Sequence, residues 1–299
     1  MQWRWWRQCL GFGKIIIPND MIPIVHNKLL FFIFLITYSW GVRAQQQTQG
    51  TLQDSLKQLG HTMYNEPNEA LRLAANYTFI KTLVHLLKSP DSFDLPFDSL
   101  HAIAIKTSPD KQFRIFSWHL KLDDGSYRYY GAIQLRTTNG ELLLKPLVDK
   151  SPLITKPAEA ITDNSKWYGA QYYDIVPLKG LAHHYLLLGW RGNTPEITEK
   201  VIEVLQVNGP EITFGKPLFN GRDVAAQTAR MIYRYHAQAS MLLKYDKQHN
   251  RLLMDHLAPA QPALVGQFKY YGPDMSYDAW KITKDGLQLV EDLPLKNEY

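Results

Sequence analysis

Residues 231–245 read Met-Ile-Tyr-Arg-Tyr-His-Ala-Gln-Ala-Ser-Met-Leu-Leu-Lys-Tyr. Side chains on an extended chain alternate between two faces, so a period of two sorts them. Met231, Tyr233, Tyr235, Ala237, Ala239, Met241, Leu243 and Tyr245 fall on one face, and Arg234, His236, Gln238, Ser240 and Lys244 on the other. A run with one apolar and one polar face reads as a strand of an antiparallel sheet whose outer side is wet.

The same period runs outward from this stretch. Phe116, Trp118, Leu120 and Leu122 share a face before the turn Asp123-Asp124-Gly125-Ser126, and a second run from Tyr127 to Arg136 completes a hairpin. Asn139-Gly140 supplies the positive φ angles of another tight reversal, so Leu142 to Val148 is expected as the third strand of a meander. Further strand signals lie at 167–176, 183–190, 201–207, 251–257 and 279–290, mostly separated by Gly or Pro. Between them at most one helical turn is expected, at Thr194–Lys200, which argues against parallel α/β wrapping.

Upstream the period becomes helical. Leu52, Leu56, Leu59 and Met63 make one stripe; Ala70, Leu73, Tyr77, Ile80, Val84 and Leu87 make a second, closed by Ser89-Pro90. The expected fold is α+β, mainly antiparallel, a meandering barrel-like or propeller-like sheet with an N-terminal helical segment. The divisions are a signal peptide at 1–44, a polar tether and helical segment at 45–108, and an antiparallel β domain at 109–299.

The leader reading rests on Lys28, the apolar run Leu29–Thr37, and Val42-Arg43-Ala44 before Gln45. The run is about half of the ~20 residues that a spanning helix needs, so cleavage after Ala44 is expected, with no stable membrane span afterwards. Trp3-Arg4-Trp5-Trp6-Arg7 fits no secretory pattern, whereas Met21 opens a normal leader; translation is expected to start there. The chain carries a net charge of +5, but Arg4, Arg7, Lys14, Lys28 and Arg43 stand against Asp20 alone in the first 44 residues. What remains is close to neutral, without the broad positive field of a nucleic-acid binder. The only cysteine, Cys9, lies in the leader, so the mature chain is expected to form no disulfide and to use no thiolate.

Phosphate-loop, zinc-protease, nucleophile-elbow and dinucleotide motifs do not occur in the chain. Ser108-Pro-Asp-Lys111 has the Ser-x-x-Lys spacing of a serine acyl-enzyme but runs straight into a strand, and a turn explains it better. Ser240, His236 and Asp255 supply the residue types of a triad, yet Ser240 and His236 stand about 13 Å apart on an extended strand. Asn76-Tyr77-Thr78 matches a glycosylation triplet inside a helix, where it reads as chance.

Two sets of binding candidates emerge. Arg128, Arg234, His236 and Gln238 could hold a polar or anionic ligand on wet strand faces. Asp274, Ser276 and Asp278 alternate oxygen side chains as in part of a calcium loop, although a capped turn accounts for them with fewer assumptions. No organic cofactor is expected.

The stretches Ser108–Trp118, Tyr185–Asn193 and Tyr271–Asp278 resemble those of uncharacterised exported β-rich proteins of Gram-negative bacteria, and the similarity runs over most of the mature chain. The resemblance implies a bacterial envelope protein and brings no catalytic residue with it. The expectation is therefore an exported, periplasmic or secreted binding or structural module, leaning away from an enzyme, with an envelope protein or glycan as partner. The alternative is a hydrolase of envelope glycan or peptide.

Overall fold

The computed structural model describes residues 47–90 and 92–294, so the expected leader, its Met21 start and Cys9 lie outside the described residues. Two helices come first: α1, residues 47–65, and α2, Glu69–Leu87. Asn68 caps α2, its side chain accepting the Leu71 N–H at 3.2 Å. Leu56 and Met63 are buried as their spacing predicts; of the stripe expected on α2, Leu87 is buried and Leu73 and Ile80 pack against the core, but α2 is rotated so that Tyr77 leaves the inward face. The helix buries Asn76, Phe79, Leu83, Leu86 and Leu87, and leaves Tyr77 64% exposed. Apolar residues surround most of this helix, so two stripes satisfy its period. The one that docks also brings Asn76 Oδ1 to the buried Trp118 Nε1, at 2.8 Å.

The helices cover the first sheet, a meander of β1 (Ala104–Thr107), β2 (Phe113–Lys121), β3 (Tyr127–Leu135) and β4 (Leu143–Val148) in the order β1-β2-β3-β4. β1 falls inside the stretch assigned from sequence to the helical segment, a correction of that boundary. Its four residues are too few to show a period. β2 is buried on both faces, with Phe116, Trp118 and Leu120 against the helices and Phe113 and Ile115 against the second sheet.

That second sheet runs β5 (Thr162–Asp163), β6 (Gln171–Pro177), β7 (His184–Gly192), β8 (Ile197–Asn208) and β9 (Glu211–Phe214), in the order β5-β9-β8-β7-β6. Residues 197–200, expected as part of a helical turn, instead begin β8; the reversal lies just before, where Asn193 and Thr194 N–H groups donate to Ile197 O. After β10 (Phe219–Asn220), β11 (Arg230–His236) returns to pair antiparallel with the first half of β8. The third sheet takes β10 together with β12 (Leu243–Asp246), β13 (Arg251–Pro259), β14 (Tyr271–Thr283) and β15 (Gly286–Val290), in the order β10-β15-β14-β13-β12.

Residues 231–245 are thus two strands in two sheets. The chain reverses after His236, whose carbonyl accepts the Ala239 N–H, and leaves the second sheet for the third. Alternation persists through a short reversal, so the pattern does not mark the break. The expected 279–290 strand is likewise a hairpin. It turns at Gly286, where φ is +132° and an added Cβ would stand 2.5 Å from Leu218 O.

The layers stack in order: helices, first sheet, second sheet, third sheet. One core joins the helices to the first sheet. A second, including Phe113, Trp167, Tyr172 and Phe214, joins the first and second sheets. A third, including Leu186, Ile202, Leu252 and Trp280, joins the second and third. The fold is α+β and mainly antiparallel, as the periods imply; among the described residues no sheet closes into a barrel.

Asn76→Ala removes the acceptor of a buried indole N–H. The expected loss is about 1–3 kcal/mol of unfolding free energy, to be read from denaturant melts, with Asn76→Asp retaining part of it.

Candidate functional site

The second sheet is covered on both faces, yet β8 carries Glu199 and Glu203 at 1% and 0% exposure. An ionised carboxylate in such a place needs charged or hydrogen-bonding partners. Strand register supplies them. Glu199 lies opposite Arg191 of β7 and opposite Arg234 of β11, so three strands contribute one row; Glu203 lies opposite Arg230 two rows along the same face, past Val201 and Ile232.

The contacts follow the register. Arg234 Nε donates to Glu199 Oε1 at 2.9 Å, Asn193 Nδ2 donates to the same oxygen at 3.0 Å, and Arg191 Nε stands 3.4 Å from Oε2. The Tyr168 hydroxyl donates to Glu199 Oε2 at 3.1 Å. Glu203 takes Arg230 through Nε at 2.5 Å and also accepts a very short bond from the Tyr172 hydroxyl. Arg230 reaches past it to the Pro157 carbonyl. Two cations lie over the Tyr168 ring, Arg191 at 4.0 Å and Arg230 at 4.9 Å from its centroid. Burial pushes the Tyr168 phenol up to about 12 and that of Tyr172 well above its ordinary value, so both stay protonated donors. Burial also pulls Arg191 and Arg234 down, but Tyr168 and then Glu199 more than offset this for Arg191, and Glu199 does so for Arg234, so both end above their ordinary range.

Three guanidiniums therefore share two carboxylates. A third carboxylate nearby, Asp149, is committed to the Tyr129 and Ser151 N–H groups and the Ser151 hydroxyl. Arg230 and Arg191 are sealed in, whereas the Arg234 side chain is 35% exposed. Arg234 lines an open cleft of about 420 Å³, together with Arg230, Thr228, Ile232 and the segments 156–159 and 223–225. Its rim carries Lys156 and Glu159, paired at 3.3 Å, and the exposed Asp223.

The other sequence candidates separate. Arg128 is exposed on β3, in a different sheet. His236 and Gln238 lie past the end of the charged rows, where the His236 Nδ1 accepts the Gln238 N–H. His236 and Asp274 line a second cleft, between the end of β11 and the β13–β14 hairpin. Asp274, Ser276 and Asp278 do not gather around a cation position. Asp274 accepts the Ser276 N–H and hydroxyl, closing the capped turn, while Asp278 accepts from His256 Nδ1 at 2.8 Å and from the Asp292 N–H. Among the described residues no group of three or more His, Cys, Asp or Glu could hold a metal ion. Ser108 closes a turn onto Asp110, Gln112 and Phe113, and Asp255 accepts the Leu242 N–H, so neither joins a nucleophile constellation.

Glu199, Glu203, Arg191 and Arg230 were not among the sequence candidates. The available signal was Ile197-Thr-Glu-Lys-Val-Ile-Glu-Val-Leu-Gln-Val, where two glutamates share a face with Val201, Leu205 and Val207. Carboxylates inside a strand apolar on both faces announce buried pairing.

The chain matches no protein-family model and no curated protein. Among the described residues no helix is long and apolar enough to cross a membrane.

Glu203→Ala strands Arg230 in the core and should cost about 3–5 kcal/mol in denaturant melts, whereas the double change Glu203→Leu with Arg230→Met should recover most of it. His256 behaves differently because it is partly exposed. The bond to Asp278 raises its pKa against the opposing pull of burial, and the charges of Asp278, Asp274 and Asp292 add to the rise. Its stabilisation is complete below about pH 6.5 and is lost as pH climbs through the raised value. Melting temperatures across that window should fall more steeply in the wild type than in His256→Gln.

Proposed function

We propose that this protein is an exported, non-catalytic binding module of the bacterial envelope whose cleft beside β11 holds a small anionic group, a carboxylate or phosphate, against Arg234. The observation that carries this reading is the charge count: three guanidiniums share two buried carboxylates, and of the two arginines that line the open cleft Arg230 is buried while Arg234 is partly exposed. An arriving anion completes the pairing at a place of lowered dielectric, where a charge-assisted bond is stronger than at open surface. Export rests on the leader pattern and the resemblance described above.

A hydrolase would need acid–base and nucleophilic groups in one place. His119 Nδ1 donates to Gln171 Oε1 at 2.8 Å, amid Tyr64, Tyr127 and Trp190. Asp255 faces a backbone amide, and Arg128, Arg234 and His236 stand at three separate places. This scatter favours the binding reading.

Calorimetric titration of the full chain with inorganic phosphate and with citrate, at fixed ionic strength, tests it. Saturable binding should weaken at least tenfold in Arg234→Gln, equivalent to about 1.4 kcal/mol. That variant leaves two guanidiniums on two carboxylates and should melt close to the wild type. Asp223→Asn should tighten binding by removing a rim charge of the wrong sign. Equal affinity in wild type and Arg234→Gln, or no saturable binding of either anion, would sink the reading.

A further inference from the structure

The second cleft, of about 580 Å³, has no part in the Arg234 reading and differs from the first in chemistry. Its floor is made of small residues. Ala258 and Gly272 face each other across the β13–β14 ladder, and a Cβ built on Gly272 would reach only Ala239, at 4.0 Å. The space above the floor is therefore open and flat. Tyr270 lines it with 42% of its surface exposed; Lys269, 3.4 Å from Glu196, lies 5.3 Å from the Tyr270 ring centroid.

Polar groups of opposite character border the floor. Because His236 Nδ1 accepts the Gln238 N–H, the neutral ring carries its proton on Nε2 and offers a donor. The acceptor is Asp274. It sits on a bulge where the register of β13 and β14 shifts between Asp255 and Leu257, with Met275 at φ +74° and 94% exposed. Non-glycine residues seldom adopt that conformation, and bulges that hold one re-aim their neighbours. Here the distortion sets the Asp274 carboxylate on the cleft wall, its Oδ1 fixed by Ser276.

We infer that this second cleft is a carbohydrate-binding site, in which a sugar ring lies on the Ala258–Gly272 floor beside the Tyr270 face while its hydroxyls accept from His236 and donate to Asp274. A flat apolar platform bordered by one donor and one acceptor suits a ring whose neighbouring hydroxyls act in both senses. A small anion finds less here, since Lys269 already faces Glu196 and Asp274 is a carboxylate.

The probes are chitotriose and maltotriose, titrated calorimetrically into the full chain. Two variants report on the site. Gly272→Leu fills the floor at an unstrained backbone position, and Tyr270→Ala removes the exposed ring; melting curves check that both fold. At least one trisaccharide should bind saturably, with affinity reduced more than tenfold in each variant and unchanged in Arg234→Gln. The last comparison separates this site from the anion cleft. Failure of both sugars to saturate up to about 10 mM, well above a millimolar dissociation constant, would overturn the inference. So would retained affinity in either folded variant.

Discussion

Two carboxylates buried in the middle of three stacked sheets constrain the rest of this structure. Glu199 and Glu203 sit on a strand with apolar neighbours on both sides, so their charge is tolerable only if cations arrive on the same face at the right height. β7 delivers Arg191 and β11 delivers Arg230 and Arg234. Register is thereby fixed. A slip of one residue would turn both β11 arginines toward the third sheet and, in one direction, replace them with Met231 and Tyr235 beside the glutamates. The same requirement explains why the chain, after contributing β10 to the third sheet, comes back to β8 before building β12 to β15.

This detour creates the surface features of functional interest. β11 pairs with β8 along one side and, among the described residues, with no strand on the other, so a cleft forms where residues 223–228 approach it and another where the β13–β14 hairpin reaches past its end. The two clefts differ because the strand's own sequence differs along its length. Its arginines stand beside the glutamates, while His236 comes after the last row. One short strand thus borders a charged cleft and an aromatic, nearly flat one.

Much of the architecture was legible before any coordinates. The change from helical to two-residue period marked the border between helices and sheets to within a few residues, with β1 as the exception, and the hairpin at Asp123–Ser126 fell where the turn residues stand. Errors came where one period admits two answers. α2 is apolar on most sides, so its spacing points Tyr77 inward, whereas Phe79 and Leu83 pack alongside Leu73, Ile80 and Leu87 and Tyr77 is exposed. Alternation continued through the reversal after His236, so two strands looked like one. Of the site, Arg234 and His236 were picked out as binding candidates, but with the wrong setting: both were placed on a single wet face, whereas Arg234 closes a buried row and His236 borders a separate cleft.

The sequence by itself determined the local elements, the antiparallel class and the poor supply of catalytic motifs, because these follow from periods, turn residues and spacings within a few positions. Only the tertiary structure decided which faces are dry and which charges meet. Arg191, Glu199 and Arg234 come from three strands and become one row only when those strands align. Burial is a property of what lies across from a residue, and the layer opposite β8 is contributed by segments as distant as Phe113 and Trp280. No pattern local to Ile197–Asn208 could specify that arrangement, since the same alternation of glutamate and valine on an outer sheet would be a solvated face.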